Sequence, residues 1–327
     1  MPDNEVGLME WQIGKQSVFS TKVTPTVKMV GVSDGTITPD VENTSVEEDR
    51  GSLTPTYDVT QDSASGSGKQ SLNCYAEMIS YALDCLFGQA TPSGAGPYVR
   101  AYTGPGSKPT ALPITLVRGS SEGSYALTGA TLNEIAFKNE KNKKLTADLS
   151  WIGCKVEEQA LASLGDPATL NMFHANQLAI SIDAWTGTMG GTLLNSTSFS
   201  WELGLNFNKG LKTGLGSLNP KGIKNNKLEG GSNQLKLSVE FEADQSKAFL
   251  DSMISTAVFK AQVQLLYTVS ENVSLKFEYA GFSSKAPEIF KDDDGVAQMD
   301  MVLDPLYHAT LGSWLKITLM NGQATTL

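Results

Sequence analysis

Histidine is almost missing from this chain, with only His174 and His308 in 327 residues, and cysteine occurs three times, at Cys74, Cys85 and Cys154. Two histidines and three scattered cysteines are too few to complete zinc sites, and neither histidine stands beside a Ser or Cys in a recognised nucleophile setting. The cysteines are odd in number and lack CxxC spacing, which fits reduced, mostly buried thiols; no disulfide is expected to support the fold. Cations are in deficit, since 25 Lys and Arg face 35 Asp and Glu for a formal net charge of −10. Such a surface repels nucleic-acid phosphates and argues against a DNA-gripping protein. No stretch approaches the roughly 20 apolar residues of a membrane helix, and Met1 to Gly14 lacks the positive flank and apolar run of a secretory signal. The expectation is a chain made in a cytoplasm, without membrane insertion.

What is present favours β structure. The chain has 31 Gly, 13 Pro and many Thr, Ser and Asn, and its apolar residues alternate in short runs between turn residues. Val27, Met29, Val30 and Val32 form one such run; Leu178, Ile180, Ile182 and Trp185 another; Phe199 to Phe207 a third; Leu311 to Met320 a last. Helical spacing is confined to about two places, of which the clearer holds Met78, Ile79, Ala82, Leu83 and Leu86, one apolar face to lie against a sheet.

That helix belongs to a stretch that occurs twice. Leu72 and Cys74 alternate, then a helical pattern runs from Glu77 to Phe87; Leu237, Val239 and Phe241 alternate, then Asp244 caps a second helix over Gln245 to Met253. Asp84 and Asp251 close the two copies at an offset of 167, and downstream Asp148 and Asp300 correspond at an offset of 152, each after a strand and a charged turn at Asn139 to Lys143 and Lys291 to Gly295. The difference of 15 residues falls in the Gly/Pro-rich stretch 88–124, where an exposed loop absorbs an insertion at little cost. The chain therefore reads as a polar N-terminal arm (1–25), a first β unit (26–170) and a second β unit (171–327), joined through Lys155 to Leu170 with Gly165-Asp166-Pro167 as the break. Solvated loops are expected at the acidic run Glu42 to Asp49, at a flexible tip over Ser63 to Lys69 and at Lys209 to Asn233.

No catalytic, cofactor-binding or metal-binding residue emerges. Gly66 to Ser71 imitates a phosphate loop, but Ser63 replaces its first glycine, Gln70 its magnesium-binding hydroxyl, and a strand follows where a helix belongs. Asp292-Asp293-Asp294-Gly295 lacks the alternate-residue ligands of a calcium loop and has Met301 at the closing Glu position. Carboxylates occur in runs, as solvated faces do.

The order of Gly14 to Thr21, a Gly-x-x-x-Gly turn at Gly31 to Gly35, Ile37-Thr38-Pro39, an acidic stretch, Arg50-Gly51-Ser52-Leu53-Thr54-Pro55, and a strand into a helix ending Leu-Asp-x-Leu-Phe-Gly at Leu83 to Gly88 resembles the tail tube proteins of long-tailed bacteriophages. The likeness is best over residues 14–155 and weaker in the second half. It implies tandem β-sandwich or half-barrel units with flanking helices, whose strands join those of neighbouring copies in a ring-shaped β-barrel, and rings that stack into a tube in the virion tail. With two fused units, three chains would close a ring of pseudo-sixfold symmetry. The implied partners are further copies of the chain, the tape measure, tail terminator and distal tail proteins, and DNA passing to the host without being held; no cofactor is implied. The rival is a β-rich adhesin or receptor-binding module, for which Tyr98 and Tyr102 in the loop 94–106 would be exposed aromatics.

Overall fold

The computed structural model describes residues 9–46, 56, 58–105, 112–191, 199–214, 217–226, 230–240, 259–284, 288–293 and 296–324. The second expected helix, Gln245 to Met253, lies outside them.

Up to residue 170 the strands are β1 (Glu10–Lys15), β2 (Val27–Met29), β3 (Val32–Val46), β4 (Asp58–Asn73), β5 (Tyr98–Thr103), β6 (Ile114–Ser120), β7 (Gly123–Asn139), β8 (Thr146–Gly153) and β9 (Lys155–Glu158), with the helix α1 (Ala76–Phe87) between β4 and β5. There follow β10 (Leu178–Ala184), β11 (Phe199–Asn206), β12 (Lys209–Lys212), β13 (Gly222–Asn225), β14 (Leu235–Glu240), β15 (Phe259–Ser270), β16 (Val273–Ser283), β17 (Glu288–Asp293), β18 (Val296–Pro305) and β19 (Leu315–Asn321). All named strand pairings are antiparallel.

Eight strands form one long sheet in the order β3-β4-β8-β7-β11-β14-β18-β17. Two outer sheets cover one of its faces: β2-β1-β6-β7-β9 and β10-β15-β16-β19-β5. Strand β7 serves both layers. Its first part pairs with β6 and β9, its second part with β8, and Gly129, at φ +65°, stands at the change. A side chain there would adopt a left-handed backbone and crowd Phe19 and Cys154, so the bend requires glycine.

Strict alternation decides which face is covered, because a slip of one residue would turn every apolar side chain outward. Leu72, Ile135, Phe137, Leu149, Trp151, Trp201, Leu203, Leu237 and Met301 all point into the core, each large apolar side chain contributing about 1.5–3 kcal/mol on burial. The core crosses the middle of the chain. The Phe137 and Phe277 rings meet edge-on at 5.0 Å, Trp201 Nε1 donates to Tyr267 Oη at 2.9 Å, and Tyr267 in turn donates to Asn139 Oδ1 at 2.7 Å.

Helix α1 is enclosed on nearly every side, more than its single apolar stripe predicts. The reason is β5, which lies in the Gly/Pro-rich stretch 88–124 and adds to the edge of β19, pairing Tyr102 with Ile317. It roofs the helix: Tyr102 donates to Asp84 Oδ1 at 2.9 Å, and buried Arg100 donates to Asn321 Oδ1 and to the Gln323 carbonyl. At the helix start the Glu77 carboxylate accepts from Asn171 N and Nδ2, a favourable place for negative charge. At its end Lys209 Nζ donates to the Cys85 and Leu86 carbonyls at 3.0 and 2.9 Å, satisfying acceptors that a helix leaves open.

Four expectations are corrected. Residues 10–15, placed in a polar arm, are strand β1, with Trp11, Gln12 and Ile13 buried; two hydrogen bonds, from Gln12 Nε2 to the Ala162 carbonyl and from the Ala162 amide to Gln12 Oε1, both 2.9 Å, make burial of that glutamine tolerable. Glu42 to Val46, read as the start of a loop, continues β3, and Ser63 to Lys69, read as a flexible tip, lies within β4; the two form one long hairpin. The alternation there is of small polar residues, so hydrophobic periodicity gave no strand signal. The Lys209 to Asn233 loop contains the ribbon β12–β13.

Candidate functional site

The uncovered face of the long sheet carries the polar side chains of the strands whose opposite side chains fill the core. Its positions are set by the same alternation that fills the core: Asp34, Glu134, Asp148, Glu202, Asp300 and Asp304 project from it together with Lys69, Lys138 and Lys236. Six carboxylates against three ammonium groups leave this face acidic. Two of the lysines are held by carboxylates, Lys138 to Asp148 at 3.0 Å and Lys236 to Glu202 at 3.4 Å. Asp148 holds the Lys138 ammonium above the usual lysine range through that hydrogen bond. Exposed pairs like these add little stability; they lower the number of cations open to a passing polyanion.

One detail recurs across this face. Ser71 donates from β4 to Asp148 on β8, and Ser238 donates from β14 to Asp300 on β18. In each case serine and aspartate stand directly opposite in register. The offsets, 167 between the serines and 152 between the aspartates, are those visible in the sequence. The flanking strands follow suit, with Ala136 opposite Asp148 and Glu288 opposite Asp300. The sheet ends in two edges: among the described pairings β3 bonds only to β4, and β17 only to β18.

The residues weighed in the sequence for other chemistry are dispersed. Gly66 to Ser71 is extended strand in β4 and opens no helix. Asp292 and Asp293 end β17, while Asp294 and Gly295 lie outside the described residues. His174 caps a short 3-10 turn, accepting from Asn176 N, and His308 Nε2 lies 3.0 Å from the Trp185 carbonyl. All three cysteines are free and buried, and burial pushes each thiol up, away from reactivity. Among the described residues no three His, Cys, Asp or Glu side chains are placed to hold a metal ion, and no helix is long and apolar enough to cross a membrane. Tyr102 is buried under β19.

A sheet with one apolar covered face, one acidic open face and two unpaired edges has the form of a wall segment. A family model for phage tail tube proteins matches residues 11–298. The chain belongs to the phage tail tube protein family. The match begins inside β1 and ends inside β18, so it takes in the long sheet except most of β18 and leaves β19 of the outer sheets outside. No curated protein matches the chain. Membership makes it a structural component of the virion tail. Sequence reasoning missed this face because assigning side chains to it needs the register of every strand. The signal that could have found it is the serine pair, Ser71 and Ser238, lying at the same offset as the two helix-end aspartates.

Proposed function

We propose that the chain is two tail-tube-like units in tandem, 26–170 and 171–327, preceded by 1–25, of which β1 serves the first unit as a core strand. Three chains join strand to strand into a ring with pseudo-sixfold symmetry, and rings stack into a tube through which DNA passes into the host. The observation that carries this reading is the acidic face opposite the core. A lumen wall of paired lysines and excess carboxylate repels the duplex, whereas a row of open cations would release counterions and hold it. Closing the ring also removes the two strand edges, which are otherwise an aggregation hazard. Past Ala64, whose amide donates to the Leu218 carbonyl, the β3–β4 hairpin extends as a two-stranded ribbon, a form that is marginal in water until it packs on something; contacts between rings are its natural use, together with the loop 209–233. In the virion the tube would meet the tape measure inside and the terminator and distal tail proteins at its ends, after synthesis in the host cytoplasm. The adhesin reading is weakened by the burial of Tyr102, although Tyr98 is only half-buried.

The test is negative-stain microscopy of the purified protein together with duplex DNA binding to the assembled tubes at low salt. Rings or tubes with an open lumen and weak, salt-insensitive DNA binding are expected. A protein that stays monomeric at high concentration, or tubes that grip DNA with an affinity falling steeply as salt rises, would overturn the conduit mechanism.

A further inference from the structure

The chain contains its own template for the contact between neighbouring copies. In the middle of the long sheet the strands β7 and β11 pair although they are far apart in the chain, with Ala136 opposite Gly204 and Lys138 opposite Glu202. Beyond this joint the order β11-β14-β18-β17 repeats the order β3-β4-β8-β7. Each end strand therefore has a counterpart at the joint: β17 stands to β18 as β7 stands to β8, and β3 stands to β4 as β11 stands to β14. Glu288 opposite Asp300 corresponds to Ala136 opposite Asp148, and, past a register shift that puts one extra residue into β17, Lys291 opposite Gln298 corresponds to Lys138 opposite Thr146. At the other edge Thr36 opposite Lys69 corresponds to Glu202 opposite Lys236. Thr38 opposite Ser67 corresponds to Gly204, whose amide donates to the Gln234 carbonyl.

We infer that β17 of one chain pairs antiparallel with β3 of a second copy in the register of the internal joint, Glu288 opposite Thr38 and Lys291 opposite Thr36. This rests on the ring reading above and adds to it the two edges, their direction and their register. The partner is a second copy because within one chain the sheet stays open: among the described pairings β3 bonds only to β4 and β17 only to β18. The pairing is heterologous, one edge against a different edge, so it propagates until a ring closes. A register slipped by two keeps the faces right, whereas a slip of one would turn the apolar side of β3 into the lumen.

Cysteine cross-linking reads the register directly, since residues directly opposite across antiparallel strands lie at disulfide distance. The native thiols are buried and give little background. Full-length chains carrying Thr38→Cys with Glu288→Cys, or Thr36→Cys with Lys291→Cys, are assembled and mildly oxidised. A covalent ladder of chains is expected on a non-reducing gel from both pairs, and only monomer from the slipped pair Asp40→Cys with Glu288→Cys. Wild-type tubes accompanied by a ladder from the slipped pair alone, or from none, would overturn the register while leaving the ring. Absence of rings and tubes from the wild-type protein would overturn the ring reading itself. Mixing two single-cysteine chains, Thr38→Cys and Glu288→Cys, gives only dimers if the joint is right, and covers the case in which the double variant assembles poorly.

Discussion

The parts of the chain before and after residue 170 share one strand order but differ in what they keep for themselves. The earlier part places β5 on the edge of β19 and surrounds α1 with residues of the later part: Asn321 donates to the Ala76 carbonyl, and Lys209 caps the helix end. Among the described residues the later part extends no strand onto the outer sheet of the earlier one. The difference lies in the insertion over 88–124. There the chain forms a strand, β5, whose partner lies after residue 170, and Tyr102 and Arg100 come with it. The lesson is that similarity of order does not imply independence of folding.

The comparison breaks most visibly if the parts are separated. A fragment of residues 171–327 lacks β5, α1 and β7, exposing Phe277 and the inner side of β19; it is expected to aggregate or remain unfolded by circular dichroism, and to recover only when residues 1–170 are supplied. A monomeric fragment with a cooperative melt would show that the crossing contacts are ornamental.

A smaller effect concerns Lys209. Desolvation lowers its pKa from 10.5 to about 8. Between about pH 8 and pH 10.5 the unfolded chain thus binds more protons at this site than the folded one, so its contribution to stability rises with pH across that window. Relative to Lys209→Met, the wild type should gain up to ~3 kcal/mol from the lower to the upper limit. Denaturant melts of both proteins over this range measure it, and a constant difference would mean that the ammonium is not desolvated.

The smallest effect sharpens the likeness. Ser71→Ala and Ser238→Ala each remove one cross-strand hydrogen bond to an aspartate, worth about 1 kcal/mol or somewhat more to a charged acceptor. Urea midpoints should fall by nearly the same amount in the two variants. A loss confined to one would show that the pairs are equivalent in geometry but not in energy.

Much of the layout was legible in the sequence where apolar residues alternate or recur at helical spacing. Leu178 to Ala184, Phe199 to Asn206 and Ala76 to Phe87 are elements for that reason. The long hairpin was not, because Thr36, Thr38, Ser65 and Ser67 carry no hydrophobic period and the strand there is held by backbone pairing. Strand β1 escaped notice for a related reason: a buried Gln12 looks like surface until the Ala162 amide that satisfies it is known. The net charge pointed to an acidic or neutral face, but its individual residues were out of reach, since each charge on it depends on registers between distant strands, such as Gly66 opposite Gly153.

The place of β5 also sets a clock. Tyr102 pairs with Ile317, 215 residues later, so during synthesis at about 5–20 residues per second the roof of α1 waits on the order of 10–40 seconds for its partner strand to be made. Throughout that interval Ala76, Ser80 and Arg100 lack the partners Asn321 and Gln323 that cover them. A chaperone that shields exposed apolar surface should therefore bind the nascent chain after β5 emerges and let go only when β19 has left the ribosome.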